Sequence, residues 1–233
     1  MSMDIDRRTA LAATLTAGVI LTAQGCATAQ TPQSTSMYQA RPLPFDPKTI
    51  SGLSERILVS HHDNNYVGAV NRLGAIEAEV AKLSIGSAPG FVVNGLKREE
   101  LIAMNSMILH EAYFASLGPA GGTPGSLLAS QFNKDFGGEK AWRDQFSAMG
   151  KALGGGSGWV LLAWSPRAGK LVNQWAFDHT MTIADSRVLL ALDMYEHAYH
   201  MDFGARAGAY VDAFMGAISW TTADQAMAAA LKA

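Results

Sequence analysis

Cysteine is all but missing from this chain: Cys26 is the single one among 233 residues. One thiol closes no intrachain disulfide and builds none of the cysteine-rich zinc patterns, so stability has to come from packing. Charge is also sparse, with 16% Asp, Glu, Lys and Arg, and the two signs nearly cancel to a formal −2. That balance gives no electrostatic basis for nucleic acid or an anionic membrane surface as a partner. No repeat at solenoid periods occurs. An apolar share of 48% at this length fits one sizeable globular domain or two small ones.

The longest apolar stretch runs from about Thr9 to Ala23, directly after Arg7-Arg8, and is too short to span a bilayer comfortably. Ala27-Thr28-Ala29 follows with the small-x-small pattern of a signal-peptidase site, so residues 1–29 read as an export signal. The paired arginines resemble the twin-arginine type, and the expected location is periplasmic or otherwise exported. Cleavage after Ala29 leaves a chain without cysteine; lipid attachment at Cys26, behind Ala23-Gln24-Gly25, is the one route to a membrane anchor. Residues 30–47, rich in Thr, Ser, Gln and Pro, read as a linker.

From Leu53 the apolar residues Ile57, Leu58, Tyr66, Val70, Leu73, Ile76 and Val80 recur at helical spacing, predicting a long amphipathic helix to about residue 83 with Ser54 as its N-cap. Residues 86–95 read as a loop, and a second helix is expected over 97–117 with Leu101, Met104, Ile108, Tyr113 and Phe114 buried. The two make an antiparallel hairpin that can bring His61 or His62 towards His110. Beyond the glycine-rich run at 118–125, helices are expected over 126–135 and 139–153, then strands over 159–164, 171–177 and 188–192. Two more helices follow over 204–218 and 222–231, the last started by a capping box of Thr222 and Gln225. The fold class is α+β: an N-terminal antiparallel helical hairpin over 48–120, and a C-terminal α/β unit over 121–233 with a three-stranded antiparallel sheet.

The third strand delivers Asp193-Met194-Tyr195-Glu196-His197-Ala198-Tyr199-His200, two carboxylates and two imidazoles in eight residues. Asp193 and His197, four apart, can offer an oxygen and a nitrogen to one metal ion from one face of a helical turn. Taken alone, such a pair is common in surface turns, and a lone His110 on an apolar helix face is more often a satisfied core histidine. Several separate motifs in order shift that balance. Asp193-Met194-Tyr195-Glu196-His197-Ala198-Tyr199 resembles the Asp-x-Trp-Glu-His-Ala-Tyr signature of the iron/manganese superoxide dismutases, with Tyr195 in the tryptophan's place. Phe136-Gly137-Gly138 with Trp142 and Phe146, then Gly156-Ser157-Gly158-Trp159, matches that family's entry into its sheet; His110-Glu111-Ala112-Tyr113-Phe114 is similar to its Asn-His-x-x-(Phe/Tyr) motif, with Leu109 for the asparagine.

The resemblance implies Fe or Mn bound by His110, Asp193 and His197, and a small-molecule substrate, superoxide. It also implies a homodimer in which Glu196 bonds the other subunit's ligand histidine, so that Glu196 and His197 lie at the interface. Tyr66 would gate the channel, His179 would stand where many members carry a glutamine near the metal-bound solvent, and Tyr199 would complete the set. One departure is plain: aligned without gaps through Tyr66-Val67, Leu58 takes the place of the first histidine ligand and His62 that of a histidine near the channel. Either His61 takes over through a local shift of the helix, or the site is metal-free. In the second case the same His, Asp and Tyr groups suit acid–base chemistry, as in an exported lyase acting on a small aromatic substrate, for example formaldehyde elimination from a lignin-type phenolic dimer.

Overall fold

A computed structural model describes residues 37–232. The expected export signal with Arg7, Arg8 and Cys26, and the first part of the linker, lie outside the described residues.

The first long helix enters through Ser54, whose Oγ accepts from the Ile57 N–H at 3.2 Å, as a capping serine should. It has three consecutive parts: α1 (Glu55–Ser60), a π-helical turn (His61–Tyr66) and α2 (Val67–Lys82). The inward side chains of the middle part, His61 and Tyr66, are five apart and each only 1% exposed. An α-helix repeats its inward face every three or four residues, so burying positions five apart requires one extra residue in the turn.

The second long helix, α3 (Gly90–Ser116), starts well before residue 97. Gly95, expected in a loop, is a helix-interior residue, tolerated at about 1 kcal/mol relative to Ala in these outer turns. Its buried stripe is Ala103, Ser106, Met107, His110, Tyr113 and Phe114. Leu101 and Ile108, expected inside, are 46% and 47% exposed, because they lie seven residues apart on a flank of that stripe.

After α4 (Ser126–Phe136) and α5 (Glu139–Ala152) come β1 (Trp159–Ser165), β2 (Lys170–Ala176) and β3 (Arg187–Asp193). They form an antiparallel sheet of order β2-β1-β3, with β1 central, and its register sets Trp159 opposite both Ala176 and Asp193. The chain ends in α6 (His200–Phe203), α7 (Ala207–Gly216) and α8 (Trp220–Ala230). Thr222 is not a cap: α8 begins two residues earlier, where buried Trp220 anchors the first turn beneath the Arg143 guanidinium, and the Thr222 hydroxyl bonds Ser219 Oγ at 2.8 Å. One continuous cluster of buried apolar side chains joins the long helices, the sheet and the C-terminal helices. Among the described residues no helix is long and apolar enough to cross a membrane.

Gly158 carries the turn into β1 with φ +131°, and a Cβ there would sit 2.3 Å from the Ala176 carbonyl oxygen. Its own carbonyl accepts from Met194 N at 2.9 Å, next to Asp193. Gly158→Ala is therefore expected to cost about 3 kcal/mol or more, seen as a lower urea midpoint.

Candidate metal centre

Four elements deliver one side chain each to a single point. His61 comes from the π-turn, His110 from α3, Asp193 from the last position of β3, and His197 from the 3-10 turn Glu196–Ala198. The path from Asp193 to His197 is thus strand-to-turn and not the helical turn their spacing suggested. Asp193 Oδ2 lies 3.0 Å from His61 Nε2, 3.2 Å from His197 Nε2 and 3.6 Å from His110 Nε2. One donor atom from each of the four residues falls within 4.8 Å of the others. His61, His110 and Asp193 are buried, while the His197 side chain keeps 28% exposure.

The surrounding bonds orient each ring. His110 Nδ1 is 2.6 Å from the Ser106 carbonyl, which can only accept, so the ring proton is on Nδ1 and Nε2 is bare. That nitrogen is buried and has no hydrogen-bond partner among the described residues, and neither has His61 Nδ1. A buried acceptor of this kind costs free energy unless something binds it, and a bare imidazole nitrogen beside a carboxylate is a metal donor. Asp193 is held from its other side: Oδ1 accepts from Tyr195 N at 2.8 Å and its carbonyl from the Tyr210 hydroxyl at 2.7 Å, with Tyr113 Oη a further 3.4 Å from Tyr210.

Electrostatics keep the groups in ligand form. Burial lowers His110 to a pKa of about 3, against the pull of Asp193. Burial likewise lowers His61, although its bond to Asp193 opposes the shift. Burial alone would raise Asp193, but the hydrogen bonds and charges of His197 and His61 outweigh it and hold the carboxyl well below the usual carboxylate range. At neutral pH the cluster therefore offers a carboxylate and at least two neutral imidazoles, and ion binding would displace the Nε2 protons that His61 and His197 now point at Asp193.

The other candidates divide. His179 stands next to the cluster: its Nδ1 accepts from Trp159 Nε1 at 3.1 Å, its ring stacks on Tyr195 at 4.9 Å, and it lies 6.2 Å from His110. Burial lowers its pKa too. His62 is not brought in; its Nε2 donates to the Arg41 carbonyl at 2.8 Å and its Nδ1 faces Asp63. Tyr66 also misses the cluster. Its ring is buried, but its hydroxyl donates to Glu111 Oε1 and accepts from Arg41 N, both at 2.9 Å. Tyr199 is 2% exposed and stacked on Tyr210, so it supports Asp193 only through that neighbour. Glu196 is exposed beside His197, and Leu58 is 1% exposed in the apolar core. Ser106, Tyr210 and Glu111 were not singled out by sequence reasoning; Ser106 was the findable one, since it lies one turn before His110 on its buried stripe.

This fold and this donor set define a mononuclear metal centre with oxygen and nitrogen ligands, the chemistry suited to Fe or Mn. The description "Iron/manganese superoxide dismutases, C-terminal domain" matches residues 124–226. Superoxide dismutase [Fe] of Cupriavidus metallidurans is 58% identical over 196 residues, covering 84% of this chain and 99% of that protein. Superoxide dismutase [Mn] 1 of Halobacterium salinarum is 34% identical over 79% of this chain and 92% of its own length. For superoxide dismutase [Fe] of Pyrobaculum aerophilum the figures are 30%, 85% and 95%. The chain belongs to the iron/manganese superoxide dismutase family.

The two lowered histidines make the metal-free protein acid-sensitive in a defined window. Their folded pKa values lie below the 6.5 of a free imidazole, so the unfolded chain binds more protons below that pH. Stability is expected to be complete above about pH 6.5 and to fall towards about pH 3, by up to about 1.4 kcal/mol per pH unit for each histidine. Calorimetry of the metal-free protein should show this slope, and His110→Gln should reduce it by up to one proton.

Proposed function

We propose that the protein is a superoxide dismutase using one Fe or Mn ion held by His61, His110, Asp193 and His197. The observation that carries this reading is the convergence of three Nε2 atoms on Asp193 Oδ2 within 3.6 Å. When bound, such an ion supplies a one-electron couple that oxidises one superoxide to oxygen and reduces the next, with two protons, to hydrogen peroxide. The chain's own contribution is orientation, exclusion of bulk water and placement of protons. Ser106 and Asp193 fix the His110 and His61 rings, and Trp159, Tyr113 and Phe114 wall the site with apolar surface. Because Trp159 donates to His179 Nδ1, the neutral His179 ring carries its proton on Nε2, the nitrogen left to donate to a small anion. Tyr195, raised to about 12 chiefly by burial and then by Asp193, stays a neutral phenol beside it.

The same reading includes a homodimer through the face that exposes Glu196 and His197, with Glu196 reaching the second subunit's ligand histidine. Support comes from the exposed Glu196 carboxylate, which adjoins a ligand whose side chain keeps 28% exposure. Export by the twin-arginine route, proposed from Arg7-Arg8, belongs to it as well.

Elemental analysis with a dismutase assay tests the ligand set. His61→Ala is expected to lose bound metal and to lower activity by roughly 100-fold or more. Leu58→Ala should cost about 2–5 kcal/mol of stability as a core truncation while keeping stoichiometric metal. Loss of metal in Leu58→Ala but not in His61→Ala would overturn the assignment. Glu196→Ala should shift sedimentation from dimer towards monomer.

A further inference from the structure

The cluster residues differ in what holds them from behind. Asp193 is fixed through Oδ1 by Tyr195 N, and His110 through Nδ1 by the Ser106 carbonyl. His61 has no such bond, since its Nδ1 is buried without a hydrogen-bond partner among the described residues. A ligand imidazole is usually oriented through its second nitrogen. For His61 the orientation has to come from packing and from the path of the main chain. Tyr113 and Phe114 supply the packing, with ring centroids 4.8 Å and 5.2 Å from that of His61.

The main chain at His61 is held from outside. The Val67 N–H closes the π-turn on the His62 carbonyl, five residues back, and such turns are rare. Two of its side chains reach a single peptide group of the chain that precedes α1. His62 Nε2 donates to the Arg41 carbonyl at 2.8 Å, and the Arg41 N–H donates to the Tyr66 hydroxyl at 2.9 Å. That hydroxyl donates in turn to Glu111 Oε1 at 2.9 Å, while the Arg41 guanidinium lies 3.1 Å from Glu111 Oε2. His62 follows His61 in the chain and Glu111 follows His110, so one small network ties together the residues next to two of the cluster histidines. Phe114 stands between network and cluster, its ring 5.6 Å from His62 and 6.2 Å from Tyr66 as well as against His61.

We propose that His62, Tyr66 and Glu111, clasped to the Arg41 peptide, are positioning residues of the metal centre, doing for His61 what the Ser106 carbonyl does for His110. That the positioned groups hold an ion rests on the dismutase reading; the clasp rests on its own bonds. The Arg41 guanidinium is a minor part of it, because that side chain is 76% exposed and its ion pair is screened by water. The Arg41 N–H and carbonyl do the fastening.

The double variant His62→Leu/Tyr66→Phe removes both bonds from the π-turn to the Arg41 peptide and keeps apolar bulk against Phe114. Two properties of the Co2+-loaded protein decide: the rate at which EDTA strips the ion, and the visible d–d spectrum, which reports the ligand arrangement. Stripping is expected to be roughly tenfold faster or more, with a shifted spectrum. His62→Gln alone, whose carboxamide can donate to the Arg41 carbonyl, and Arg41→Ala, which keeps the peptide group, should both stay at wild-type values. Asp224→Ala, which removes the acceptor of the Gly125 N–H at the start of α4, serves as the stability control: a lower urea midpoint with neither property changed. A double variant with wild-type stripping and spectrum, or an Asp224→Ala variant altered as much as the double one, overturns the positioning role. So does a wild type that takes up no ion. A wild type that binds Co2+ but has no dismutase activity when loaded with Fe or Mn would overturn the dismutase reading, and the spectrum would still decide the clasp.

Discussion

Everything in this protein is arranged around one fully buried carboxylate. Taking Asp193 out of water is costly, and an isolated ionised carboxyl in such a place would take up a proton. It stays ionised because donors surround it: Tyr195 N on Oδ1, and His61 and His197 on Oδ2. Those donors come from two distant segments, the π-turn that carries His61 and the turn after β3 that carries Tyr195 and His197. The first long helix, β3 and the turn after it are therefore coupled through a few ångströms of space, and a shift in any of them breaks the same set of bonds.

The π-turn is the local device that makes this possible. With a leucine at the alignment position of the first ligand, a straight α-helix would direct Leu58 and His62 to the site. One additional residue in the turn instead sends Leu58 into the core, His61 to Asp193, and both His62 and Tyr66 to the strap around Arg41. The consequences spread beyond the ligand. The phenol that the family resemblance assigns to the channel is tied to Glu111, and small residues take the surface nearest His179.

The sheet has a comparable economy. Gly158 provides a left-handed turn that no side chain could share with the Ala176 carbonyl, and the register it opens sets Trp159 against Asp193. From there the indole reaches His179 and fixes which of its nitrogens carries the proton. A positive φ at one residue thus determines a tautomer some twenty positions along the chain.

Periodicity and punctuation in the sequence determined the α+β class, the three strands, the Ser54 cap and the helix that carries His110, because these depend on neighbours in the chain. The Asp193–His197 stretch was legible for the same reason. Some element starts were not: Trp220 begins a helix because of what it packs beside, α3 starts at exposed Gly90 directly after Pro89, and its inward stripe passed over Leu101 and Ile108. The choice among Leu58, His61 and His62 likewise belonged to the tertiary structure. The five-residue interval between His61 and Tyr66 was present in the sequence, but an interval indicates a π-turn only when both ends must be buried. That requirement comes from Asp193, 132 positions further along the chain, whose buried charge needs a donor at that point.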